Sequence, residues 1–586
     1  MNMKQLMTKW ADNINEKNVL GEYPRPLMRR KSYVNLNGIW KYAIRETKGF
    51  PKKMDGDILV PFSPEAVLSG VNRQLKPEEY LWYKRRLPDE VKPEKGSRWI
   101  LHFGAVDQCA VVYINGKKQG KHVGGYLPFS YDITEALKEE KNLLTVKVRD
   151  YSETCYYSRG KQKLKNGGMF YTAQSGIWQT VWIEKVPECY IGHLKITPLY
   201  DQSSIMIQME EEHGIKDIDY EVTITARKMW PVKASGKTGK PCVIMIPHMR
   251  SWSPEDPFLY DLHVRMGEDS VESYFAMRKV EVKNDKEGIP RIFLNNEPYF
   301  EKGVLDQGYW PDGLYTPPCD EAMIYDIQKM KDLGFNMIRK HIKIEPQRWY
   351  YHCDRIGMLV WQDMVNGGRD YKSWYVTYMA TAMEGMHIRA KDTRIHLMGR
   401  QDPAGQRQFE KEMKETLRLL YNHPSIVTWV IFNEGWGQFQ TKKMTDIVRA
   451  EDPYRLTDSA SGWFDQGGGD IRSIHDYFFP LHVTPEKRVT ALTEFGGYSL
   501  QIPKHSMYEK KVYGYKKFKR KRELTAGYEK LIKKLIIPNI RRGLSATVYT
   551  QLSDIEEEVN GIISYDRKIV KMDEKTVKKL NEKLHF

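Results

Sequence analysis

The sequence predicts three consecutive folded units: two antiparallel β-sandwiches and then an eight-stranded βα barrel. Three observations carry that expectation. At 586 residues and 41% apolar content, the chain exceeds one ordinary domain and can bury several cores. Short strands separated by turn residues fill its first half. From residue 283 onward strands alternate with helical stretches, the pattern of parallel βα units, and the remaining length fits one barrel.

The first unit is expected over residues 1–190. Within "RWILHFGAVDQCAVVYINGKKQGKHVGGYLPFSYDIT" (98–134), Asn115-Gly116 suits the left-handed dihedrals of a tight hairpin turn. "NLLTVKVRDY" (142–151) and "SGIWQTVWIEKV" (175–186) continue the strand pattern. The second unit, 191–282, holds evenly spaced short strands such as "YEVTITARKMW" and "KPCVIMIPHM", as in an immunoglobulin-like sandwich. The third, 283–586, opens with a helix in "CDEAMIYDIQKMKDLG" (319–334). Met323, Ile324, Ile327, Met330 and Leu333 share one of its faces, and Gly334 suits its C-terminus. "FNMIRKH", "MLVWQDM", "SIVTWVIFNE", "YRLTDSAS", "SIHDYFF" and "RVTALTEFGG" follow as strands.

Composition narrows the function classes. The formal charge of +16 invites a nucleic-acid reading, but much of it sits in "KKVYGYKKFKRKREL" (510–524), expected as a solvated helix or loop. No zinc, helix-turn-helix or RNA-binding signature accompanies it, so no nucleic-acid partner is expected. Six cysteines without CxxC spacing read as reduced thiols. The N-terminal residues lack the apolar core of a signal peptide, and no apolar run approaches the roughly 20 residues that span a bilayer. A cytoplasmic protein without a membrane partner is the expectation. The 12% aromatic content suits both large cores and sugar-stacking platforms.

Two strands end on a carboxylate. "IVTWVIFNEGWGQ" (426–438) reaches Asn433 and Glu434, and "VTALTEFGGYS" reaches Glu494. Barrel strands are packed on both faces and read as continuous apolar runs, and barrels do chemistry where those strands stop. If the intervening segments are strands five and six, the glutamates end strands four and seven and face one another across the mouth. Paired carboxylates are what glycoside cleavage needs: one protonated to release the leaving oxygen, one ionised to meet the anomeric carbon.

These residues resemble glycoside hydrolase family 2, which contains β-galactosidases, β-glucuronidases and β-mannosidases, and the resemblance covers nearly the whole chain. "YPRPLMRRKSYVNLNGIWKYAI" (23–44), "VPFSPEAVLSGV" (60–71), "FGAVDQCAVVYINGK" (103–117), "VGGYLPFSYDIT" (123–134) and "SGIWQTVWIE" (175–184) are similar to its sugar-binding jelly roll. The middle segment resembles its immunoglobulin-like domain and the remainder its (β/α)8 barrel. The resemblance implies that Glu434 is the general acid/base and Glu494 the nucleophile of a retaining double displacement. It further implies that Arg339 and Tyr477 support the nucleophile and that Asn433 binds the sugar's 2-hydroxyl. His341 and Asp363 are expected against sugar hydroxyls, and Trp436 as a wall on the aglycone side.

Two departures bear on the substrate. Where the family commonly has a tryptophan beneath the sugar, the last strand reads "ATVYTQLSD", with Thr550 and Gln551 near that position. Glucuronide-specific members carry an Asn-x-Lys motif after it, but here Asn560 is followed by Gly561 and Ile562. Glu556, Glu557 and Glu558 would repel an anionic sugar if they faced the site. The expected substrate is therefore a neutral β-hexoside, a galactoside first. A β-glucuronidase, a β-mannosidase and a catalytically inactive carbohydrate-binding protein are the alternatives. No set of metal ligands and no cofactor motif is found, and homo-oligomerisation is left open.

Overall fold

A computed structural model describes residues 6–386, 388–477, 481–509 and 512–586. Phe478 and Phe479 of the expected sixth strand, and Lys510 and Lys511 of the basic segment, lie outside the described residues.

The first unit stacks a four-stranded sheet against a six-stranded one. Burial alternates with period two where a strand has one face inward: Ala110, Val112 and Ile114 are buried along Cys109–Ile114, and Leu144, Val146 and Val148 along Leu143–Arg149. Asn115 (φ 51°) and Gly116 (φ 81°) turn Cys109–Ile114 into Lys117–Val123 as the sequence predicts. The second unit pairs a three-stranded sheet with a four-stranded one around Ile205, Ile207, Val222, Leu262 and Val264. We place the borders at 190/191 and 282/283; the second cuts strand Val280–Asn284, which pairs with Pro290–Leu294.

Eight parallel strands then form the barrel: Glu301–Asp306, Met337–Lys340, Leu359–Asp363, Ile426–Val430, Leu456–Asp458, Ile471–Asp476, Val489–Gly496 and Leu544–Thr550. They pair in sequence order, and the eighth returns to the first. The seam between the fifth and sixth strands carries no ladder, but Asp470 spans it: its N–H donates to Thr457 O and its carboxylate accepts from Thr457 N, both at 2.8 Å. Inside, Leu305, Met337, Leu359, Trp361, Val427 and Val548 share one core with Val280 and Ile292 of the preceding sheet. Both faces are buried, which is why these strands read as apolar runs. Among the described residues no helix is long and apolar enough to cross a membrane.

Part of the basic segment differs from the solvated run expected of it. Tyr515 is stacked on Tyr477 with ring centroids 3.9 Å apart, and Tyr513 N donates to Glu557 O at 2.7 Å. Lys516, Lys517, Lys519 and Lys521 are exposed, while Tyr513 and Tyr515 pack at the barrel mouth.

Candidate active site

The fourth strand, buried at all five positions, feeds directly into Asn433 and Glu434. Glu434 is left-handed (φ 50°), as are Gly435 (φ 74°) and Gly437 (φ 68°). A Cβ on Gly435 would come within 2.5 Å of the Phe464 ring, and one on Gly437 within 2.6 Å of Gly367 O. The glycines therefore let the chain turn sharply enough to leave the Glu434 side chain at the mouth. A non-glycine residue in this region stores local strain, as functional sites often do.

Glu494, 5% exposed, lies opposite on the seventh strand. One oxygen each of Glu434 and Glu494 and a ring nitrogen of His475 all lie within 4.8 Å of one another. Arg339 anchors the floor: Nε and Nη2 grip both oxygens of Asp363 at 3.0 Å, Nη2 also donates to Asn433 Oδ1 at 2.8 Å, and Nη1 to Glu494 Oε1 at 3.3 Å. Tyr477 donates to Glu494 Oε2 at 2.6 Å, and its hydroxyl lies 3.0 Å from Thr550 Oγ1. Burial pushes the Tyr477 phenol well above its ordinary value, so it remains a donor. Burial alone would push the Glu494 carboxyl up. His475, His341, Arg339 and Lys161 more than offset it and hold it at about 2. Arg339 supplies permanent charge there, whereas burial, with Lys161 and Arg339 nearby, drives His341 well below the usual histidine range.

All eight residues expected from the sequence converge here. Asp363 accepts both Arg339 nitrogens and His341 Nδ1 (2.8 Å), and is 1% exposed. Its oxygens orient that arginine and histidine. Neutral His341 then gives its Nδ1 hydrogen to Asp363, leaving Nε2, buried and without a partner among the described residues, as an acceptor. Trp436 is 4% exposed and walls the mouth with Phe170 (centroids 5.8 Å) and Tyr371 (6.2 Å), under Arg159 (5.1 Å).

The three glutamates after the last strand are engaged by the first unit. Glu556 accepts from Thr172 N and Asn166 Nδ2, Glu557 from Gly168 N, and Glu558 from the Tyr171 hydroxyl and Asn560 Nδ2. They fasten the 166–172 segment of the first unit to the barrel, and Glu558 is also close enough to act on Glu494. Near the place of the missing tryptophan, Gln551 bonds Gln307 and Asn560, both at 2.8 Å. Arg567, a cation seven residues after Asn560, is held by Asp326 at 3.1 Å.

Sequence reasoning missed two site residues. His475 stands two residues before Tyr477 at the end of the sixth strand, and that nearness was the available signal. Lys161 belongs to the first unit, and nothing local to it pointed at the barrel. Its neighbour Gly160 donates to Asn366 O at 3.0 Å, and a Cβ there would lie 3.3 Å from Ile342 O, so the strap crosses the ends of strands two and three. The Lys161 charge acts on Glu494, His341 and Glu558, yet its ammonium makes no hydrogen bond or ion pair among the described residues. As for metals, Glu434, His475 and Glu494 form a donor set, but an ion among them would fill the gap a reacting sugar carbon needs.

Comparison with known proteins agrees with this architecture. Residues 319–493 match the family model described as "Glycosyl hydrolases family 2, TIM barrel domain", and residues 71–187 the one described as "sugar binding domain" of the same family. A putative beta-glucuronidase of Formosa agariphila is 23% identical over 473 residues, 74% of this chain and 52% of that protein. A beta-galactosidase of Thermoanaerobacter pseudethanolicus is 24% identical over 514 residues, 80% of this chain and 61% of that one. The chain thus spans about half to three-fifths of the length of these relatives. In fold it is similar to the beta-D-glucuronidase of Dictyoglomus thermophilum (TM-score 0.74, 17% identity, 96% of this chain and 99% of that one). It is likewise similar to a beta-galacturonidase of Eisenbergiella tayi (TM-score 0.68, 19% identity, 96% and 100%). With both family models matching in order along one chain whose barrel mouth holds two facing glutamates, the protein belongs to glycoside hydrolase family 2.

Proposed function

We propose that the protein is a retaining exo-β-glycosidase. The observation that carries this is the closeness of the carboxylates: an oxygen of Glu434 comes within 4.8 Å of one of Glu494. Separations of about 5–5.5 Å suit direct attack with retention, whereas inversion needs about 6.5–9.5 Å to seat a water. Glu494, ionised and held by Arg339 and Tyr477, attacks the anomeric carbon while Glu434 protonates the departing oxygen. Water deprotonated by Glu434 then attacks the same carbon and releases the sugar with its β configuration. Asn433, its Oδ1 committed to Arg339, offers Nδ2 to the 2-hydroxyl, and His341 Nε2 offers an acceptor to another hydroxyl.

For the glycone we propose a terminal neutral β-hexoside, a β-galactoside first, because no lysine follows Asn560 in the Asn-x-Lys position. A β-uronide is the second reading, favoured by Lys161, whose ammonium acts on Glu494 and has no hydrogen-bond or ion-pair partner among the described residues. A panel of 4-nitrophenyl β-galactoside, β-mannoside and β-glucuronide separates them. A galactoside kcat/KM well above the others supports the first reading; a preferred glucuronide whose turnover collapses in Lys161→Ala supports the second. The mechanism is tested by substitution. Glu494→Ala is expected to abolish turnover, whereas Glu434→Ala keeps slow turnover of activated aryl glycosides, increased by azide and yielding a β-glycosyl azide. An α-azide product would sink retention.

A further inference from the structure

We propose that His475 is a positioning residue that holds the catalytic proton of Glu434, a role that rests on the acid/base assignment above. The imidazole side chain is fully buried, with Nδ1 2.9 Å from Glu434 Oε1 and Nε2 2.9 Å from Ser461 Oγ. Its protonation pattern follows from the hydroxyls behind it. Thr493 Oγ1 donates to Ile474 O at 3.3 Å, and Ser461 Oγ donates to Thr493 Oγ1 at 3.1 Å. A hydroxyl has one hydrogen, and Ser461 has used its own. Ser461 therefore accepts from His475, and Nε2 carries a hydrogen.

With Nε2 fixed as a donor, only Nδ1 can gain or lose a proton. It faces Glu434 Oε1, so exactly one proton joins the two atoms, on the carboxyl or on the ring. In the first chemical step the carboxyl O–H turns from Nδ1 to the glycosidic oxygen. The bond from C1 to the aglycone breaks as C1–O(Glu494) forms, and the proton leaves with the aglycone. A carboxylate is then left against a bare imidazole lone pair, which favours recapture of a proton. Water supplies it: its oxygen bonds to C1, the ester to Glu494 breaks, and its proton restores the pair. The device requires Gly462. Its φ is 82°, and a Cβ there would sit 2.8 Å from His475 Nδ1.

The other groups facing His475 are Glu494, 3.7 Å from Nε2, with Asp458 of the fifth strand and Asp363, His341 and Arg339 of the floor. Burial lifts Asp458 to about 6, but its titration is present in wild type and variant alike, so a difference between them reports His475.

Two measurements test the proposal. Nitrogen NMR of histidine-labelled protein, with His475 assigned by its disappearance in His475→Asn, should find Nε2 protonated at every pH at which the protein is folded. A bare Nε2 with a protonated Nδ1 overturns the proposal. This arm needs no substrate: if wild type hydrolyses no nitrophenyl β-glycoside, the proposed function falls while the proton's place is still decided. In the kinetic arm, His475→Ala should lower kcat/KM for the 4-nitrophenyl glycoside about thirtyfold or more and move the alkaline limb of its pH profile to lower pH. The 2,4-dinitrophenyl glycoside, which leaves without an acid, should change less than about threefold. His475→Asn, which keeps a polar atom near Nδ1, should recover part of the loss. Equal losses on both substrates with an unmoved pH profile would reduce His475 to packing and overturn its role.

Discussion

Arg339 ties four parts of the site together, because its guanidinium has enough donors to meet Asp363, Asn433, the Thr493 carbonyl and Glu494 at once. Tyr477 is the cleaner probe, since Phe keeps its volume and its stacking on Tyr515. Tyr477→Phe removes one charge-assisted bond to Glu494, worth about 1.5–3 kcal/mol, and should lower kcat/KM roughly ten- to a hundredfold with little loss of stability. Wild-type rates in that variant would remove Tyr477 from the machinery. The depressed Glu494 has a defined sign with pH. Its folded value, about 2, lies below the ordinary unfolded value of about 4.3. Its contribution to stability is therefore present above that unfolded value and is lost as pH falls toward 2. Glu494 is likewise ionised through the whole neutral and mildly acid range. An acid limb of kcat/KM near pH 5 should thus survive in Tyr477→Phe and belong to another group; its disappearance would assign it to the nucleophile.

At the scale of elements, the strand ends do the positioning. His475 near the end of the sixth strand and Tyr477 just beyond it both turn into the mouth, and the left-handed turn at Glu434 carries its side chain over the opposite rim. The loop after the fifth strand meets this arrangement at Gly462. Gly462→Ala should cost about 1–2 kcal/mol of stability through its positive φ, and more in turnover, because the new methyl occupies the approach to His475 Nδ1. The check is a pair of measurements, thermal unfolding and kcat on one nitrophenyl glycoside. A variant that loses stability but keeps wild-type kcat would show that the loop does not hold the ring in place. The strap at 158–163 is the second such element. Gly160→Ala would meet the Tyr315 and Tyr126 hydroxyls at 2.7 and 2.8 Å and so displace Lys161 from the mouth. KM should rise more than kcat falls if Lys161 contacts the glycone.

Across the whole molecule, the site is shared between units. Tyr171 of the first unit donates to Glu558 and accepts from Gln307 Nε2 at 2.6 Å, both in the barrel. Tyr171→Phe leaves those two buried groups short of a partner and should cost about 1–3 kcal/mol, read as a lower Tm. An unchanged Tm would mean that the contact is not held in solution. The sequence by itself determined the order of the units, the barrel strands and the eight residues that meet at its mouth. The units, the strands and the two glutamates follow from local rules, periodicity, turn chemistry and carboxylates at strand ends, and the other six residues from the resemblance to a known family. Tertiary structure alone decided that Asp363 orients Arg339 and His341, that Glu556, Glu557 and Glu558 fasten the first unit, and that Lys161 reaches the mouth from some 270 residues before Glu434. It also brought together the two hydroxyls, of Ser461 and Thr493, and the Ile474 carbonyl on which the proposed proton of His475 rests. The physical reason is one of range. Backbone preferences act over a few residues and leave a signature in the sequence, whereas a hydrogen-bond partner or an unpaired charge is defined only by what the fold brings within a few ångströms.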